Sequence, residues 1–132
     1  MRDPAWFPSD PGATNVGRFM AAHGIDHFDE LVRRSIDEPE WFWDAVVGFL
    51  GIEFATPYGK VLDTSDGIPW AKWFVGGALN FAHVCVDRHP PERRALIWEG
   101  EDGEVRTWSY GELRAQADGL AALLAERGIG PG

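Results

Sequence analysis

The sequence predicts an α/β chain, in which a helical N-terminal half precedes a β-hairpin and one long helix. Three observations predict it. Apolar residues recur at helical spacing in three successive segments before Gly51. Two short apolar runs, residues 95–98 and 105–108, flank an Asp102-Gly103 turn signal. Ser109, with Glu112 three residues later, forms a capping-box signature ahead of a long amphipathic stretch.

Each element has its own justification. Residues 1–13 contain Pro4, Pro8, Pro11 and Gly12 and read as an extended lead-in rather than a packed element. Thr14 is expected to cap a short helix with Val16, Phe19 and Met20 on its apolar face, ended by Gly24. Asp26 is expected to cap a second, with Phe28, Leu31, Val32 and Ile36 at helical spacing. Pro39 suits the first turn of a third, where a missing N–H costs nothing. Phe42, Ala45, Val46, Phe49 and Leu50 then form its stripe, and Gly51 stops it.

Residues 58–62 and 71–75 read as short strands, separated by the turn chemistry of Thr64-Ser65-Asp66-Gly67. Gly76-Gly77 frees the backbone for a change of direction. Asn80 is an expected N-cap for a helix through about Arg88, closed by Pro90-Pro91. Phe81, Ala82, Val84, Cys85 and Val86 make that helix apolar nearly all round, so it should be buried. The run at 95–98 is expected to be covered on both faces. After Ser109, Tyr110, Leu113, Ala117, Leu120, Ala121 and Leu124 line one helix face, and Gly128 is the stop. A parallel strand pair needs a crossover helix and a strand after it; the helix is here and its second strand is not.

Composition narrows the function classes. The 132 residues, 45% hydrophobic with 7 Trp and 8 Phe, are far too apolar for a disordered segment and sufficient for one ordinary domain. A net charge of −9 argues against nucleic acid and against an anionic membrane surface as partners. The basic pairs Arg33-Arg34 and Arg93-Arg94 are too short to form a patch. Cys85 is the lone cysteine, so a reducing compartment fits and no intrachain disulfide forms. No apolar run reaches the ~20 residues that span a bilayer, and the start lacks a signal-peptide core. The expected location is cytoplasmic.

Four groups of residues are candidate sites. His83, Cys85, Asp87 and His89 alternate, which on a strand would gather them for zinc; on a helix residues two apart diverge and no chelate forms. Cys85 then reads as a small core hydrophobe and His89 or Arg88 as a favourable helix-end charge. Phosphate chemistry needs backbone N–H groups from a Gly/Ser/Thr loop with a cation beside it. Thr64-Ser65-Asp66-Gly67 carries a carboxylate instead; Gly128-x-Gly130-x-Gly132 follows a helix rather than a strand; Lys60 and Lys72 have no motif around them. Glu99, Glu101, Asp102 and Glu104 read as a solvated hairpin tip rather than a cation site. The Trp41/Trp43 and Trp70/Trp73 pairs read as core packing rather than a nucleotide platform.

One segment carries a family likeness. Trp73-Phe74-Val75-Gly76-Gly77, Leu79-Asn80, Asp87-Arg88-His89, Ala95-Leu96-Ile97-Trp98-Glu99-Gly100 and Thr107-Trp108-Ser109-Tyr110-Gly111-Glu112-Leu113 follow one another in order. Upstream stand Asp37-Glu38-Pro39-Glu40-Trp41-Phe42-Trp43 and Pro57-Tyr58-Gly59-Lys60-Val61-Leu62. In identity and spacing these residues resemble the N-terminal region of the AMP-forming acetyl-coenzyme A synthetase family. Trp108 stands where that family usually has a smaller residue, and the hairpin turn is short. The resemblance implies a parent ligase that joins a short carboxylic acid to coenzyme A with Mg-ATP, through an acyl-adenylate. It implies a lead-in with short helices at 1–35, a cap region at 36–91, and the start of the adenylate-forming, AMP-binding domain at 92–132, cut short after its first hairpin and helix. The family's phosphate loop, nucleotide-binding residues, acid pocket and catalytic lysine lie beyond the matched part. No catalytic, cofactor-binding or metal residue is therefore assigned to this chain, and its expected role is structural. Its expected partner is the remainder of the adenylate-forming domain, with self-association when that remainder is absent. A stand-alone interaction module, or a small-ligand-binding domain, is the alternative.

Overall fold

The computed structural model describes residues 7–130. The first residues of the expected lead-in, 1–6, lie outside them. The chain forms two compact units, one through Ala78 and one from Leu79 onward.

The first unit is built on three helices. Asp10 accepts from the Ala13 N–H and starts a single tight turn, Pro11–Ala13, so the lead-in is locally folded where extended chain was expected. Thr14 then caps α1 (Asn15–Ala22), its hydroxyl accepting from the Gly17 N–H at 2.9 Å. Gly17 has a packing reason: a Cβ there would come within 2.1 Å of the Pro11 carbonyl oxygen. α2 (Phe28–Asp37) begins two residues after Asp26, and its N-cap is His27, which makes no side-chain cap bond. The Asp26 cap expectation is therefore corrected. The His27 carbonyl takes the first helical N–H groups, and Asp29 and Glu30 supply negative charge to the first turn. α3 (Pro39–Phe49) runs as the stripe requires, with Pro39 at its start and Gly51 left-handed (φ 61°) beyond its end.

Phe19 is the centre of this unit. With Ile25 and Leu31 it is buried, and Met20, Trp41, Phe42, Ala45, Val46 and Phe49 close around them. The Phe42 and Phe49 rings meet Phe19 edge-on at 5.9 and 5.3 Å between centroids, the geometry that the ring quadrupole favours. The outer side of the cluster is finished by a cation: the Arg34 guanidinium lies 3.4 Å above the Trp41 ring.

A small antiparallel sheet follows α3. β1 (Lys60–Asp63) pairs with β2 (Lys72–Val75), with Leu62 opposite Trp73. β1 starts two residues later than the apolar pattern suggests, because Tyr58 is used in side-chain packing against Phe54 and Phe74. Trp73 also meets Trp43 of α3 edge-on at 6.1 Å. Phe74 is held at φ 49°, in the left-handed region that a bulky residue seldom occupies. Its ring is fixed by Phe54 and Tyr58, and Gly76 (φ 79°) completes the reversal.

In the second unit Asn80 accepts from the Ala82 N–H at 3.0 Å, as an N-cap should. The segment it opens winds as a wide π-type turn over His83–Asp87 rather than a full α-helix. It is also not buried: Phe81 is 73% exposed and Cys85 is exposed. The expectation of a buried helix with Cys85 in its core is corrected: α4 packs on this segment through Arg114 and Asp87, and the side bearing Phe81 and Cys85 stays open among the described residues. β3 (Arg94–Glu99) and β4 (Val105–Ser109) form the expected hairpin, with a bulge between Arg94 and Leu96 and Gly103 left-handed in the loop. The expectation that 95–98 is covered on both faces is also corrected: Leu96, Ile97 and Trp98 are about half exposed.

α4 (Tyr110–Glu126) starts from a complete capping box. Ser109 accepts from the Glu112 N–H, and the Glu112 carboxylate accepts from the Ser109 N–H at 2.8 Å. The first turn is pinned to the linker by Tyr110 N–H to Arg93 and Gly111 N–H to Pro91, and the His89 ring stacks on Tyr110 at 4.3 Å. Further along, Leu120, Leu123 and Leu124 remain exposed. Among the described residues, none from Leu79 onward is buried.

Two substitutions test the α4 start. Ser109→Ala should lower stability by about 1 kcal/mol in denaturant unfolding. The Ser109 N–H, then its hydroxyl, hold the Glu112 carboxyl below the usual glutamate range. That contribution is present above the unfolded-state pKa of about 4.3 and lost as pH falls through the depressed value. Glu112→Gln should therefore cost stability at neutral pH, with the difference from the parent narrowing in acid.

Candidate functional site

The side chains with chemical potential are mostly engaged with one another. In the turn after β1, Asp63 accepts from the Ser65 N–H and from Lys60 Nζ, each at 3.2 Å. The Gly67 N–H donates to the Thr64 carbonyl, and Asp66 holds Lys72 Nζ at 2.7 Å. Ser65 and Gly67 N–H groups that might have cradled phosphate are thus turned inward, and both lysines are paired with carboxylates. Those carboxyl partners explain the lysines for which the sequence shows no motif. The Ser65 N–H, then Lys60, keep the Asp63 carboxyl below the ordinary aspartate range.

The π-type turn brings His83 beside Asp87, and neither Cys85 nor His89 joins them as a third ligand. His83 Nδ1 lies 3.6 Å from Asp87 Oδ2, and Asp87 Oδ1 lies 3.5 Å from Arg114 Nε on α4. His89 is occupied by Tyr110. Among the described residues no three His, Cys, Asp or Glu side chains gather as a metal site. Of the hairpin-tip acids, Glu104 makes a two-pronged contact with Arg106, and Asp102 caps the Glu104 N–H inside the loop. Gly128 is a left-handed helix stop at φ 77°. Trp41, Trp43 and Trp73 pack against neighbouring rings, but Trp43 and Trp73 stay exposed and Trp70 is 71% exposed, against the core-packing expectation for all three.

Two concave features do not follow from the sequence. One is an apolar cleft among α1, α2 and α3, lined by Val16, Phe19, Leu31, Phe42, Val46 and Phe49. The other is an open groove between α3 and the approach to β1, lined by Glu40, Trp41, Asp44, Tyr58, Gly59 and Lys60. Across it Tyr58 donates to Asp44 at 2.6 Å. Fourteen residues separate the pair, and only the packing of α3 on β1 brings them together. The bond to Asp44 favours the neutral phenol and raises the Tyr58 pKa above its usual value; partial burial and the Asp44 charge act in the same direction. A groove carrying two carboxylates repels a polyphosphate. The lysine on its rim, Lys60, is already held by Asp63 at 3.2 Å, so it is not free to offset that repulsion.

Comparison with known proteins places the chain. Residues 28–85 match the family described as Acetyl-coenzyme A synthetase N-terminus. The chain carries the N-terminal region of the AMP-forming acetyl-coenzyme A synthetase family. An acetyl-coenzyme A synthetase of Deinococcus radiodurans is 40% identical over 106 residues, 77% of this chain and 16% of the relative. One from Mycobacterium tuberculosis is 40% identical over 116 residues, 82% of this chain and 17% of the relative. Among solved structures, acetoacetyl-CoA synthetase from Streptomyces lividans superposes with a TM-score of 0.78 at 34% identity, over 92% of this chain and 20% of that one. The synthetase N-terminal region described here therefore spans between a sixth and a fifth of the relatives it matches. Helices with small antiparallel sheets are the fold it shares with the solved relative. No described helix is long and apolar enough to cross a membrane.

The Tyr58–Asp44 bond can be read directly, because the synthetase N-terminal region has only two tyrosines. In a Tyr110→Phe background, tyrosinate absorbance should titrate above the ordinary value of about 10. Asp44→Asn should bring the midpoint back down. Identical midpoints with and without Asp44 would show that the bond does not form in solution.

Proposed function

We propose that this chain is the structural N-terminal part of an AMP-forming acid–CoA ligase and contributes no catalytic residue of its own. The observation that carries the reading is the partial match: 92% of this chain superposes on 20% of an acyl-CoA synthetase at 34% identity. The exposed apolar faces of the second unit support it, since they require cover that the described residues do not supply. Residues 36–91 are the cap region in this reading, and residues 92–132 open the adenylate-forming domain, whose remainder is the partner. The whole protein would join a short carboxylic acid to coenzyme A at the expense of ATP. Acetate is the default acid; the solved relative is named for acetoacetate. The lone exposed thiol of Cys85 suits a reducing, cytoplasmic setting.

What this chain supplies is a scaffold. The capping box fixes where α4 begins, and the Arg93 and Pro91 carbonyls fix its first turn. The Phe19 cluster holds the cap helices together. Stabilising the charge that develops in acyl transfer needs preorganised donors, each worth several kcal/mol. The Ser65 and Gly67 donors in the Thr64–Gly67 turn are already committed to neighbouring groups.

Acid-dependent pyrophosphate–ATP exchange reports adenylate formation and is the decisive assay. With acetate, propionate or butyrate and Mg2+, the 132-residue chain should give none. A version extended through the downstream reading frame should exchange. Activity of the 132 residues alone that survives repurification would sink the proposal.

A further inference from the structure

Asp66-Gly67 and Asp102-Gly103 each place an aspartate before a glycine in a turn. Such a pair is open to one covalent reaction. The glycine peptide nitrogen can attack the side-chain carboxyl carbon, and with no Cβ on the glycine little shields that nitrogen. The partners of the two carboxyls differ. Asp66 reaches across to β2, where Lys72 Nζ holds its carboxylate at 2.7 Å. Asp102 folds back over its own main chain: Oδ1 accepts from the Glu104 N–H at 3.1 Å, and a Cβ on Gly100 would stand 2.7 Å from the same oxygen. A side chain bonded to the main chain two residues on closes a small ring. That ring holds the Asp102 carboxyl carbon against the Gly103 peptide. Main-chain bonding does not separate the two sites, because the Gly67 N–H donates to Thr64 at 2.9 Å and the Gly103 N–H to Gly100 at 3.0 Å. Residues 101–104 are all exposed, and Glu101, Asp102 and Glu104 give the loop the composition of a solvated tip.

We propose that Asp102 is a site of spontaneous isoaspartate formation in the folded chain, and that Lys72 protects Asp66 from the same reaction. Attack forms a bond from the Gly103 nitrogen to Asp102 Cγ; the N–H proton and a carboxyl hydroxyl leave as water. The five-membered imide then takes up one water. Breaking the bond from that nitrogen to the Asp102 main-chain carbonyl carbon routes the chain through the side chain and frees the old carbonyl as a carboxylate. One water leaves and one returns, so the mass is unchanged and no oxidant or cofactor is needed. The added main-chain methylene lengthens the loop and takes the carboxyl away from the Glu104 N–H. The freed carboxylate is the group a carboxyl methyltransferase would methylate from S-adenosylmethionine. The inference goes beyond the ligase reading and does not depend on it.

The test incubates the 132-residue chain in mildly alkaline buffer and digests it with trypsin, which places the two sites on separate peptides, residues 61–72 and 95–106. Isoaspartate is read by enzymatic methyl uptake from S-adenosylmethionine and located by electron-based fragmentation, which cuts beside the added methylene. It should accumulate at Asp102 several-fold faster than at Asp66. Asp102→Glu should abolish it in 95–106, since the longer side chain must close a larger ring. Lys72→Met, whose peptide runs on to Arg88, should raise the rate at Asp66 toward that at Asp102. In urea, where both turns are lost, the two rates should converge. No isoaspartate at Asp102 overturns the proposal, as does equal or faster formation at Asp66 in the native chain. So does a preference for Asp102 that persists undiminished in urea, which would assign it to sequence neighbours rather than to the turn. Pyrophosphate exchange is not part of this readout, so the two readings fail separately.

Discussion

The rest of the structure depends on a shortage of cover: this chain has more apolar side chains than its own elements can bury. Among the described residues, three are buried, Phe19, Ile25 and Leu31, all of them in the helical unit. There the shortage is met by concentrating rings. Phe42, Phe49, Trp41 and His23 converge on Phe19 from two helices, and edge-on ring contacts add to the area they remove from water. In the second unit no such centre exists. A hairpin laid beside a helix buries little unless another layer closes it, as two packed layers around one core are the usual minimum.

Where burial is scarce, local chemistry carries the architecture. Thr14, Asn80 and Ser109 each satisfy an orphan N–H at the start of an element. Gly24, Gly51, Gly76, Gly103 and Gly128 take the left-handed conformations at which elements stop or reverse. These interactions act over three or four residues and do not wait for a core. They explain how the hairpin and α4 stand at their expected places with their apolar faces open. The same economy governs the polar groups. Asp63, Asp66, Asp87 and Glu104 each spend their charge on a nearby cation or N–H rather than on a common cavity.

This division of labour agrees with the lengths of the relatives. Acetyl-coenzyme A synthetases about five times as long share this region at about 40% identity. Turn glycines, capping residues and ring positions in this region each have a structural reason. Gly111 is one case: a Cβ would stand 3.1 Å from the Pro91 ring, where the first turn of α4 presses on the linker.

The sequence by itself determined what short-range physics decides. The order of the helices, the hairpin, the capping box at Ser109 and Glu112 and the glycine stops follow from spacing and local hydrogen bonding. The family likeness followed from the same residues. The starts that failed did so by small local margins: Asp26 lost to His27 because α2 begins at Phe28. Tertiary structure alone decided what lies beside what. Apolarity showed that residues 81–86 and 95–98 prefer cover, yet a preference for burial does not supply a neighbour, and here both are open. The Tyr58–Asp44 bond, the Arg34–Trp41 stack and the left-handed Phe74 had no signature in spacing. Each depends on separate elements meeting in space, and spacing along a chain encodes periodicity, not proximity.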